Sequence, residues 1–153
     1  MKKLAIGLAL GALSLSAFAN TEAYKTLPDE KATLALCESM AKAFNTEIAS
    51  FQSVADIASP YWKAGEIDPS RSLTSLTYSN NQLVGVALPF WGGPLNTLFV
   101  KTDKDKLGYF VRHNFMLRRE NIALDFYCDF YQGKDHWDLI GLTWSENYRN
   151  FFE

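Results

Sequence analysis

The chain carries only two cysteines, no run of basic residues and, after residue 19, no long apolar stretch. Each shortage excludes something. A membrane-spanning helix needs about 20 apolar residues, and nothing past the N-terminus supplies them, so no membrane anchor is expected. Fifteen basic side chains face seventeen acidic ones for a net charge of −2. A surface so balanced argues against nucleic acid and anionic membranes as partners. There is no Cys-x-x-Cys, and His113 and His136 stand at no ligand-like distance along the chain from either thiol, so no metal is expected. Gly92-Gly93 runs into Pro94 rather than into a lysine and a helix start, which excludes a phosphate loop. Gly-x-Ser-x-Gly is absent, as are internal repeats, low-complexity tracts and linkers. No cofactor is implied.

What is present begins with an export signal. Met1-Lys2-Lys3 is a short cationic start, Leu4 to Leu15 is apolar or small, and Ala17-Phe18-Ala19 has the A-x-A pattern of a cleavage site. The apolar run is too short to cross a hydrocarbon core of about 30 Å. Residues 1–19 are therefore read as a cleavable signal peptide, with the mature protein starting at Asn20 and lying in the periplasm or outside the cell. Residues 20–153 are expected to form a single domain. In an oxidising compartment Cys37 and Cys128 are expected to be joined.

Periodicity divides the mature chain in two. Leu34, Cys37, Met40, Ala41 and Phe44 recur at helical spacing between Glu30 and Phe44, which puts Cys37 on the buried stripe of an amphipathic helix. Ile48, Phe51, Val54, Ala55 and Ile57-Ala58 mark a second helix that stops at Ser59-Pro60. Asp68-Pro69 opens a third, running to Pro89 with Leu73, Leu76, Leu83, Val84 and Ala87 on its apolar side. Phe90 to Pro94 reads as a turn. The period then falls to two, and strands are expected at about 95–102, 107–118, 122–131 and 135–143, with a last helical turn from Asn147 to Phe152.

A turn around Arg119-Glu120 would set Leu117 against Ile122, Phe115 against Leu124, His113 against Phe126 and Val111 against Cys128. One at Gly133-Lys134 would set Phe130 against Trp137, Cys128 against Leu139 and Phe126 against Gly141. These pairs share one apolar face. Arg112, Asp125 and Asp129 fall on the other, where burial would be costly. An α+β fold follows, with N-terminal helices roofing the apolar face of a four-stranded antiparallel sheet. Cys37 in the roof and Cys128 in the sheet would then close a loop of about ninety residues, a constraint of about 4–5 kcal/mol in the chain-entropy model.

Three helices followed by an antiparallel meander resemble the NTF2-like (cystatin-like α+β) superfamily. The stretches Leu107 to His113, Asn121 to Tyr131 and Trp137-Asp138-Leu139 are similar to the ends of exported bacterial members of unassigned function. Cys128 and His113 stand where those members usually carry aromatic residues. The resemblance implies a curved sheet, a cone-shaped cavity and often dimers formed through the sheet. It does not select a function, because the superfamily hosts isomerases, dehydratases and non-catalytic binders.

Three readings stay open. The first is a non-enzymatic exported module binding a small apolar ligand or a protein, its pocket rimmed by Tyr61, Trp62, Phe90, Trp91, His113, Phe126 and Trp137. The second is an isomerase-like or dehydratase-like enzyme with an inward His113 as general base. The third is a periplasmic interaction protein, such as a protector against a secreted toxin. For association, Tyr127, Tyr131, Ile140 and Trp144 share the outer sheet face on this register and form the expected homodimer surface. His136 sits at a turn and is expected to be exposed.

Overall fold

The computed structural model describes residues 24–64 and 68–147. The expected leader and cleavage site, and the final helical turn beyond Asn147, lie outside the described residues. Three helices come first: α1 (Glu30–Phe44), α2 (Phe51–Ala58) and α3 (Pro69–Trp91). Four strands follow, β1 (Pro94–Lys104), β2 (Phe110–Arg119), β3 (Ala123–Gln132) and β4 (Trp137–Ser145), in the sheet order β1-β2-β3-β4. All neighbours are antiparallel. Among the described residues no helix is long and apolar enough to cross a membrane.

Each helix starts on a side-chain cap. Asp29 accepts from the Ala32 amide, Ser50 from Gln52 and Asp68 from Arg71, satisfying donors that the first turn leaves free. Helix α3 runs two residues past Pro89 instead of stopping there. The ring removes the hydrogen bond to the Gly85 carbonyl, but Gly85 is exposed and side-chain-free, so water can reach that oxygen. Phe90 and Trp91 consequently belong to the helix, and Gly92, at φ 71°, ends it.

Helix α1 lies across the inner face of the sheet and touches all four strands. Met40, Ala41 and Phe44 pack there with Phe115, Leu117, Leu124, Phe126, Phe130 and Leu139. Helices α2 and α3 continue the roof beyond α1 and add Phe51, Val54 and Trp91 to the same core. Cys37 and Cys128 are bonded across the helix–sheet interface, their Cα atoms 5.8 Å apart, and both are fully buried.

The apolar face is the expected one, but both hairpin registers differ. Between β2 and β3 the pairs are Val111 with Phe130, His113 with Cys128, Phe115 with Phe126 and Leu117 with Leu124, a slip of two residues. A two-residue slip keeps every side chain on its face. The hairpin tip explains it. The Glu120 and Asn121 amides donate to the carbonyls of Gly93 and Trp91, so the turn is centred on these two residues and pinned to the end of α3.

Between β3 and β4 Trp137 pairs with Gln132 and Leu139 with Phe130, after which a bulge shifts the register. Beyond it Leu142 opposes Cys128 and Trp144 opposes Phe126. One extra residue inverts the alternation. Trp144 is thereby turned inward, against Phe44 and Trp91, rather than onto the outer face with Tyr127 and Tyr131.

Candidate functional site

Of the expected catalytic and pocket residues, His113 is the most fully described. It faces the core, 1 % exposed, and both ring nitrogens are engaged. The Thr33 hydroxyl donates to the Glu30 carbonyl at 2.7 Å. Its oxygen can then only accept from His113 Nε2, 2.8 Å away. With hydrogen on Nε2, the neutral ring leaves Nδ1 as acceptor for the Thr102 hydroxyl at 2.9 Å. Burial pushes the imidazole pKa below its ordinary value; Glu30 works against that shift and Lys104 with it. A histidine bonded through both nitrogens to threonine hydroxyls has no free position from which to take a substrate proton.

Among the described residues, the aromatic side chains expected around a pocket do not gather at one groove. Trp91 and Phe126 are core side chains on the Phe44 ring, Trp137 is buried at the start of β4, and Tyr61 is half-buried against the core. Phe90 points to solvent. A sequence count of aromatics cannot separate core filling from cavity lining, because both demand large apolar side chains.

Trp62 is the exception. It floors a groove of about 410 Å³ between α2 and α3. Gln52, Asp56 and Ser59 line the α2 side; Ser70, Thr74 and Tyr78 line the α3 side, with Leu73 among the apolar walls. Trp62 is held at the floor because the chain after α2 runs beside β4, where Trp62 bridges to Leu139 and the Lys63 amide donates to the Leu139 carbonyl. Lys63 and Asp138 tie the same segment down at 3.0 Å. Trp62 is 4 % exposed, and its Nε1–H is buried with no acceptor among the described residues. A buried donor without an acceptor costs about 1–3 kcal/mol. The groove's lining carries one formal charge, Asp56, whose carboxylate accepts from Gln52 Nε2 at 2.7 Å.

On the outer sheet face Arg112 grips Asp129, its cross-strand partner, through two bonds, Nε to Oδ1 at 2.7 Å and Nη2 to Oδ2 at 2.9 Å. Its guanidinium lies 4.1 Å over the Tyr127 ring, and the Asp129 contact raises its pKa. Gly141 faces this pair, and a Cβ there would come within 3.1 Å of Asp129. Asp125, expected in solvent, is 1 % exposed although it lies on the face opposite Phe126. Ile140 lies beside Arg112 and Asp129 on this face and Tyr131 packs on the Phe110 ring, but Trp144 has turned inward, so the four residues expected to form an outer patch do not all share it.

A further feature of the sequence bears on the surface. Residues 72–100 contain no Asp, Glu, Lys or Arg. Their solvent-facing side chains include Leu83, Val86 and Phe90 on α3 and Leu95, Leu98 and Phe99 on β1. In a chain that is 21 % charged, so long a neutral segment is itself a signal legible in the sequence.

The chain matches no family model, no curated protein and no solved structure.

Proposed function

We propose that this protein is an exported, non-enzymatic binding module of the NTF2-like kind, and that its ligand seats in the groove between α2 and α3. The single observation that carries the reading is the groove itself, about 410 Å³ between α2 and α3, with Trp62 at its floor and Asp56 the one charged side chain in its lining. Export is supported by the leader-like N-terminus together with the buried Cys37–Cys128 bond. The NTF2-like placement is supported by three helices preceding a four-stranded meander. Catalysis through His113 is disfavoured because its two threonine partners occupy the nitrogens that chemistry would need.

The test is a fragment titration of the mature protein followed by the indole ¹H–¹⁵N resonances, with Trp62→Phe assigning the Trp62 signal. Small, largely apolar molecules that seat against the Trp62 ring are expected to move that signal. Thr74→Trp, which fills the groove from α3, should remove the response and leave the signals of Trp91 and Trp144 in place. If a broad fragment set moves only signals remote from Trp62, the ligand seat lies elsewhere.

A further inference from the structure

We infer that the solvent face of α3 is a self-association surface, on which a second copy of this chain packs its own α3 antiparallel across a two-fold axis beside Val86. Leu83, Val86 and Phe90 are spaced three and four residues apart, which places them within one narrow stripe of the helix. They are 61 %, 74 % and 75 % exposed. This stripe is separate from the groove, which takes the other side of the N-terminal half of the helix.

Charge selects the occupant. In a two-fold contact the same patch meets itself, so any charged residue near the axis would face its own like. The neutral stretch 72–100 contains none. Partners attracted by electrostatic steering leave complementary charge on the surface they use, and the stripe itself carries none, the exposed carboxylate of Glu120 lying beyond its end against Gly92 and Gly93. A lipid surface is disfavoured on the same ground, since interfacial helices carry Lys and Arg on their polar side.

Shape and area agree. An axis beside Val86 brings Leu83 of one copy against Phe90 of the other, with Val86 near its own symmetry mate. Ser79, exposed and on the same side of the helix as the stripe, is small enough to let the helices approach closely. At roughly 150–200 Å² for a large apolar side chain, the three stripe residues expose on the order of 350–400 Å² per copy. That is about half of the ~800 Å² a stable interface takes from each partner, and it forms the apolar centre. Ser75, Ser79 and Gln82, exposed beside it, form a polar rim.

The experiment is sedimentation velocity on the disulfide-bonded mature chain, from low micromolar to millimolar concentration. The wild type is expected to move from monomer to dimer mass across that range. Val86→Glu should weaken association by roughly tenfold or more, as expected for a residue at an interface centre, with an unchanged thermal melt. Leu83→Gln, a milder change, should act in the same direction if Val86→Glu perturbs folding. Tyr131→Glu, on the outer sheet face, should leave the dimer intact. A wild type that stays monomeric at millimolar concentration overturns the inference. So does a dimer that survives Val86→Glu or that Tyr131→Glu abolishes.

Discussion

At the scale of single residues, His113 shows how one position acquires its role from partners far away in sequence. Thr33 arrives from α1 and Thr102 from β1, and together they hold the ring neutral. Folding keeps the imidazole pKa below its ordinary value of about 6.5, so on acidification the unfolded chain takes up the proton first. The contribution of His113 is therefore complete above pH ~6.5 and is lost as the pH falls through that value toward the folded-state pKa, by at most about 1.4 kcal/mol per pH unit. Urea midpoints at pH 7 and pH 5 should differ for the wild type. His113→Gln should be less stable at pH 7, and its midpoint should change less between the two. Glu30 and Lys104, paired with each other at 2.6 Å, are the charged groups that modulate this titration.

Arg119 is a second residue whose role is set by distant partners. It is buried at the hairpin tip, its Nε donates to the Gly92 carbonyl, and Nη1 donates to the Thr46 carbonyl. Burial lowers its pKa, though the charge is retained. A sequence reading puts an arginine in a turn and expects it to be wet. The α1–α2 connection and the end of α3 instead close over it, which only the assembled fold can arrange.

At the scale of elements, α3 combines functions that its composition makes hard to disentangle. Its N-terminal half lines the groove and its C-terminal half bears the neutral stripe, while Val84 and Trp91 anchor it to the core. Its first turn depends on Asp68, which also accepts from the Ser70 hydroxyl at 2.7 Å. Asp68→Ala should cost about 1 kcal/mol of global stability, the usual loss for an N-cap, measurable as a lowered thermal midpoint. Because Ser70 lines the groove, fraying of this turn should also weaken any ligand held there.

The β4 bulge is the other decisive element. Gly141, where a Cβ would press on Asp129 at 3.1 Å, marks where the register shifts. Gly141→Val should push on Asp129 and cost roughly 1–3 kcal/mol through overpacking, read as a lowered urea midpoint.

At the scale of the whole molecule, the Cys37–Cys128 bond spans 91 positions and fastens the roof to the sheet. Replacing both cysteines by alanine should remove about 4–5 kcal/mol in the chain-entropy model, much of what a domain of this size possesses. Equilibrium unfolding of the double variant beside the oxidised wild type checks this. Since both sulfurs are fully buried, a mild reductant should leave the native protein oxidised until it unfolds.

Periodicity and side-chain chemistry alone determined the three helices, the four strands, the apolar face of β2 and β3, and the pairing of the two cysteines. These depend on local spacing and on which face avoids water, and both are written residue by residue. What only the tertiary structure decided is the hairpin register, the bulge that turns Trp144 inward, the burial of Asp125 and the groove above Trp62. Each arises where separate segments meet, as when the end of α3 clamps the Glu120-Asn121 turn, and no local pattern records a contact between residues so far apart in the chain.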